Sequence, residues 1–416
     1  LIPFEEKTLS KCLGFQKIES ITTNGYLKHL QIDCCRRTTD DNQNFIPASI
    51  PGNCKISTGL EARRGFLTTN KYFRERGMLI VDLVGSEKGW QPIAYMLDLA
   101  AELLEAEVLH LDRRHPNLLE KLNVLISKRQ RAWSEESCLL VCQSPADLLC
   151  VYRIAGWQKR FRYIAAWVID SFWTEWIPKT IRLTQPFDHF FVTTEEDVSI
   201  WNQITHTPTT CLPWGSDVLR LGGAASQRLW DLTRVGRQPP EWENDQITQE
   251  DCAGQNLLFH GRPRMFDDAT QNQMALMQLY RQTKFLLAFS NSVNPMNYTH
   301  PHRDYLTGRW VDALACGAVV AGVRPKAASA SRLLWSGATI DLGSVHREEG
   351  LQIIAEAVRD WTPAQADVNY HHALERLDWR WRFAAIADIF QESPKRLQDE
   401  IQLLQQKIRQ QQPAIR

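Results

Sequence analysis

From residue 78 onward the chain alternates short apolar, β-branched runs with stretches whose apolar residues recur every three or four positions, the pattern of βα units on a parallel sheet. Strands are predicted at 78–84, 108–111, 138–142, 163–169, 189–193 and 209–212. After the first of them Ile93, Leu97, Ala100, Ala101 and Leu104 share one helical face, and further helices are predicted at 117–129 and 146–154. Regularity lapses over 221–255, where Gly222-Gly223, Pro239-Pro240 and an acidic run from Glu241 to Asp251 read as a linker or a long excursion. A second alternation follows, with strands at 256–260, 284–289, 318–321 and 338–342, helices at 269–283, 307–316, 329–335 and 350–361, and a long loop up to Leu306. After Pro363 the chain reads as helical, and Leu397, Ile401, Leu404 and Ile408 form a final apolar face that suits docking on the protein itself, on a partner helix or on a membrane surface.

The pattern predicts an α/β protein of two tandem Rossmann-like domains. Its parts are an N-terminal extension of unassigned fold at 1–77, a first domain at 78–220, a linker at 221–255, a second domain at 256–390 and a C-terminal helix at 391–416. A length of 416 residues agrees, at roughly 150 residues per domain. Charge narrows the partners: 48 Lys plus Arg balance 48 Asp plus Glu, so the basic footprint of a nucleic-acid binder is missing. No window holds 18 consecutive apolar residues, which predicts no transmembrane helix, and the first residues lack the order of a signal peptide, which predicts a cytoplasmic protein. Ten cysteines without a CxxC pair predict reduced, buried thiols. Eight of the fifteen tryptophans fall between Trp157 and Trp242, as core or as a ring-stacking pocket.

Candidate chemistry is densest at 302–322. Thr307 or the loop before it opens a helix whose free N–H groups and positive dipole end suit a phosphate, with Arg303 and Arg309 at hand for its oxygens. Asp304 and Asp312 stand near the start of that helix and two turns along it, where a carboxylate could accept hydrogen bonds from sugar hydroxyls; the other reading is an ordinary capped helix with surface charges. Two guanidinium groups beside a glycine turn, Gly261-Arg262-Pro-Arg264, suit a pyrophosphate or are a solvated turn.

These positions resemble the glycosyltransferases of the GT-B fold, in the group whose C-terminal domain carries an E-x7-E element running into an E-A-(L/M)-A-x-G segment. Asp304 and Asp312 take the two acidic places, each one methylene shorter than Glu, and Asp312-Ala-Leu-Ala-Cys-Gly317 matches the segment. Thr307-Gly308-Arg309 resembles the variant group related to spore-maturation glycosyltransferases, Gly261-Arg262 with Arg264 looks like the family's G-R element, and Pro213-Trp-Gly215-Ser-Asp217 looks like its P-x-G-x-D segment before the interdomain crossing. The resemblance implies an enzyme that moves a hexosyl or related group, with retention of configuration, from a nucleotide-diphosphate sugar bound as co-substrate without any tightly bound cofactor. The acceptor is left open among glycan, lipid, protein and small molecule. Asp312 would hold the ribose of the donor, Asp304 would face its sugar, and Gly261, Arg262, Arg264, Thr307, Gly308 and Arg309 would hold its phosphates.

Other groups are placed by strand position alone. Asp170, at the end of a strong strand, would orient or deprotonate an acceptor hydroxyl, or cap a helix. Gly85 and Gly89 lie in the loop after the first strand, where an open α/β sheet binds its ligands, although glycines so spaced are also plain turn residues. His300 and His302 would touch the donor or belong to the loop; with no third ligand at a suitable spacing and no DxD motif, no metal is expected. Two rivals fit the same pattern: a nucleotide-sugar epimerase on this architecture, and a non-catalytic nucleotide-sugar-binding subunit.

Overall fold

The computed structural model describes residues 77–411 except 86, 115–128, 131 and 297. Residues 1–76 of the extension, with Cys12, Cys34, Cys35 and Cys54, residues 117–128 of the helix predicted at 117–129, and the chain end at 412–416 lie outside the described residues.

The first sheet has six parallel strands, β1 (Met78–Leu83), β2 (Glu107–His110), β3 (Ser137–Cys142), β4 (Tyr163–Val168), β5 (His189–Val192) and β6 (Thr209–Cys211), in the order β2-β1-β3-β4-β5-β6. All six fall where the apolar runs predict them. In β3 every residue is buried, because helices cover both faces of a parallel sheet. The pleat sorts alternate residues to opposite faces: Ile80, Leu139, Val141 and Trp167 pack with the helix Gln91–Leu103 on one side, and Leu79, Val81, Leu140 and Ala166 with Trp157 and Trp201 on the other. Cys138, Cys142, Cys150, Cys252 and Cys316 are buried free thiols, and Cys211 is partly buried.

The second sheet is also parallel, with β7 (Trp230–Arg234), β8 (Phe259–His260), β9 (Thr283–Leu287), β10 (Val319–Gly322) and β11 (Thr339–Asp341) in the order β11-β10-β9-β7-β8. Here the structure corrects the sequence reading, for β7 lies in the stretch 221–255 read as a linker. Its polar residues hide it. Asp231 is paired with Lys284 at 2.7 Å, the Thr233 hydroxyl bonds that of Thr283 at 2.8 Å, and Arg234 is buried against Glu243 and Asp245. The acidic run thus neutralises a buried guanidinium and includes the helix Asp245–Gly254. The strand predicted at 256–260 shrinks to the two residues of β8, at the edge of the sheet, because Asn256 turns left-handed at φ 58°.

The helices Pro363–Arg376, Trp379–Phe390 and Lys395–Gln411 complete the described chain. The second of these, assigned by sequence to the second domain, packs Trp379, Phe383, Ile386 and Phe390 into the core of the first sheet. The last helix docks on both domains, with Leu397 in the first core and Leu404 in the second. Among the described residues no helix is long and apolar enough to cross a membrane.

The chain crosses between domains at Pro213–Asp217 and returns at 377–379, and the two passages are bonded to each other, Ser216 N–H to Leu377 O at 2.8 Å and Trp379 N–H to Ser216 O at 3.0 Å. Gly215 permits this contact, since a Cβ there would sit 2.7 Å from the Trp379 ring. Beside it Arg380 donates to Asp217 and Asp378, both at 2.9 Å, and Tyr95 O–H donates to Asp217 at 2.6 Å. Glu400, on the last helix, accepts from Arg380 Nε at 2.6 Å.

Candidate functional site

Ligands of open α/β sheets bind at the carboxyl ends of the strands, where the winding direction reverses. In the second sheet that point lies between β7 and β9, because the chain goes from β7 to β8 on one side and then to β9 on the other. β7 runs into Val235-Gly236-Arg237, with Gly236 left-handed at φ 71°, a conformation that favours glycine. A cavity of about 290 Å³ opens here, lined by Arg237, Asn291, Tyr305, Thr307 and Arg309, and by Gly89 from the first domain.

The cavity is electropositive. Arg309 Nη1 donates to the carbonyls of Arg237 at 2.9 Å and Val235 at 3.4 Å, which clamps the guanidinium against the turn. The Arg237 guanidinium lies 5.3 Å from the centroid of the Tyr298 ring, and its buried Nη1 has no hydrogen-bond partner among the described residues. Among the described residues no carboxylate lines the cavity. Burial pulls the Arg309 pKa below its ordinary value, with the Arg237 charge acting in the same direction. Thr307 is the N-cap of the helix Gly308–Ala315, and its buried Oγ1 is likewise unpartnered among the described residues. Two guanidinium groups, a helix N-terminus and two unused donors are what an anion with several oxygens requires.

Of the residues predicted to hold phosphate, Thr307 and Arg309 line this cavity, and Gly308 packs behind them with its Cα face toward the Trp214 ring. Gly261, Arg262 and Arg264 do not. They follow the edge strand β8, where Arg262 pairs with Glu243, Arg264 is exposed over the Phe266 ring at 5.9 Å, and Gly261 makes room for the Asp245 carboxylate. Arg237 lines the cavity instead. A Gly-Arg pair at the end of a strand was the available signal, lost because β7 reads as polar. Asp312 does not line the cavity: it is buried behind it, accepting from Ser216 O–H at 2.6 Å and Gln273 N–H at 3.1 Å, and burial raises its pKa to about 6. It joins the interdomain crossing to the helix that carries Arg309.

Asp304 lines a neighbouring cleft of about 420 Å³ together with Phe172, Glu196, His302, Arg303 and Lys326. Its carboxylate is occupied in shaping the loop, accepting from Ser290 O–H at 2.5 Å, the Lys326 backbone N–H at 2.8 Å and its neighbour Tyr305 N–H at 3.1 Å. Phe172, from the first domain, stacks on Tyr305 at 4.1 Å, so the two openings share one aromatic wall. Asp170 is held at the end of β4 just before Phe172, and burial raises its carboxyl to about 7, against the opposing pull of Arg113. His300 packs on Trp173 at 4.8 Å, and burial lowers its pKa, which favours the neutral ring. Gly85 is left-handed at φ 75° in an exposed turn and does not line either opening.

No protein-family model matches the chain, and no curated protein matches it. Among solved structures it is similar to TarM, at 10% identity and TM-score 0.39 over 61% of this chain and 54% of that one. It is also similar to a glycosyltransferase from Rickettsia africae ESF-5, at 8% identity and TM-score 0.44 over 76% of this chain and 98% of that one. The chain spans about half the length of TarM, at 54%.

Proposed function

We propose that the protein is a glycosyltransferase that takes a sugar from a nucleotide-diphosphate donor held at the Arg237–Arg309 cavity and passes it, with retention of configuration, to an acceptor in the adjoining interdomain cleft. The observation that carries this reading is the pair of guanidinium groups with no carboxylate partner among the described residues, set at the switch point of the second sheet against a helix N-terminus. Arg237, Arg309 and the first turn of that helix would offset the charge growing on the leaving diphosphate, in a site where low dielectric strengthens each contact. In a retaining transfer the acceptor proton goes to the departing diphosphate oxygen, and Asp170, two residues before the cleft-lining Phe172, would hold the acceptor hydroxyl.

Thermal stabilisation by UDP, GDP, TDP, ADP and CMP tests the donor site. A ligand at 100 times its Kd adds about 2.7 kcal/mol. One diphosphate is expected to raise the melting temperature clearly, and silence from all of them at millimolar concentration would refute the assignment.

Asp170 carries a pH prediction. An ionised carboxylate accepts a hydrogen bond from the hydroxyl and orients it, so activity should rise with pH through about 7, and Asp170→Asn should flatten that limb in a pH–rate profile. Stability runs the other way. Because the folded pKa lies above the unfolded one, wild type should lose stability relative to Asp170→Asn as pH rises from about 4 to 7, and hold level above.

A further inference from the structure

The carboxyl end of the first sheet carries an aromatic surface without a role in donor binding. Just after Asp170 the chain makes a single 3-10 turn, Thr174–Trp176, and in such a turn side chains three apart eclipse one another. Trp173 and Trp176 accordingly stack, with centroids 4.1 Å apart and planes 2° from parallel. Trp173 is buried and covers one face of the Trp176 ring, while Trp176 is 47% exposed and offers the other face to solvent. The rim of this platform is polar. The half-exposed Glu175 lies 3.5 Å from His300 Nε2, and His300 packs on Trp173. His300 belongs to the same loop as Tyr298 and Tyr305, which line the arginine cavity, so the platform continues the wall of that cavity outward.

A flat indole backed by a second indole, with a carboxylate and an imidazole at its edge, suits a sugar ring. The C–H bonds on one side of a pyranose meet the electron-rich face of the indole, while its ring hydroxyls reach hydrogen-bonding groups at the edge. An acyl chain would desolvate Glu175 and His300 without replacing their hydrogen bonds.

We propose that the acceptor is a carbohydrate, one ring of which stacks on Trp176 while Glu175 bonds its hydroxyls. This rests on the glycosyl-transfer reading above. The full chain is probed on an array of gluco-, galacto-, manno- and N-acetylated oligosaccharides, and the best binder is titrated by isothermal calorimetry. Trp176→Ala should weaken that binding about tenfold, Trp176→Phe should keep most of it, and the thermal shift given by the nucleoside diphosphate should be the same in both variants. Binding to no glycan, unchanged affinity in Trp176→Ala, or capture by phosphatidylcholine–phosphatidylglycerol vesicles in preference to every glycan would each overturn the proposal. If the diphosphate shift persists in those cases, only the acceptor class falls; if wild type shows no such shift, the transfer reading falls with it.

Discussion

Arg237→Ala should lower turnover by about 10²–10³-fold, the usual effect of removing one preorganised donor from developing negative charge. The thermal shift given by the nucleoside diphosphate should shrink with it. The fold should survive, because the Arg237 side chain has no ion pair among the described residues and rests against the Tyr298 ring. Arg262→Ala supplies the contrast. That guanidinium is exposed and pairs with Glu243 at the far edge of the sheet, so turnover and diphosphate binding should stay near wild type. The sequence alone forecasts the opposite order, which makes the two variants together a direct measurement of where the donor phosphates bind. Equal, small losses in both would remove the cavity from the reaction.

Arg380→Ala should destabilise the protein by about 3–5 kcal/mol, as when one partner is removed from a buried ion pair. Asp217 and Asp378 would be left buried without their guanidinium, and the last helix would lose the contact between Glu400 and Arg380. Burial already raises the Asp378 pKa in the intact network, where Arg380 opposes it. Without Arg380 the Asp378 carboxyl should take up a proton more readily, so the loss should be largest above neutral pH and shrink toward about pH 4. Urea midpoints measured across that range check the size and the trend. Because this network joins Tyr95 of the first domain to both interdomain passages, the variant should also expose its first-domain tryptophans at lower urea.

Strands buried on both faces with apolar side chains were legible from sequence, as in β1, β3 and β4, because burial and the alternation of βα units leave a local imprint. β7 was not, and the cost went beyond one element. With Asp231, Thr233 and Arg234 reading as polar, the sequence places the first strand of the second sheet at 256–260, and with it the Gly-Arg pair proposed for phosphate at Gly261-Arg262 rather than at Gly236-Arg237, which follows β7. Thr307 and Arg309 were found at the cavity, since a helix start beside an arginine is a local signal. Asp312 and Asp304 share the acidic spacing, yet one bonds Ser216 and Gln273 and the other bonds the loop at Ser290, contacts made by residues distant in sequence.

By itself the sequence determined the α/β class, six strands of the first sheet, the cysteines of the described chain as buried or partly buried thiols, and the helix whose N-terminus faces the cavity. Each of these follows from short-range periodicity or composition. The tertiary structure decided which strand stands at the switch point, that Arg237 and Arg309 meet no carboxylate among the described residues, and that the helix Trp379–Phe390 returns to the first domain. Those outcomes depend on which polar groups find partners across the fold, and a buried charge reads the same in sequence whether it is neutralised or left to bind a ligand.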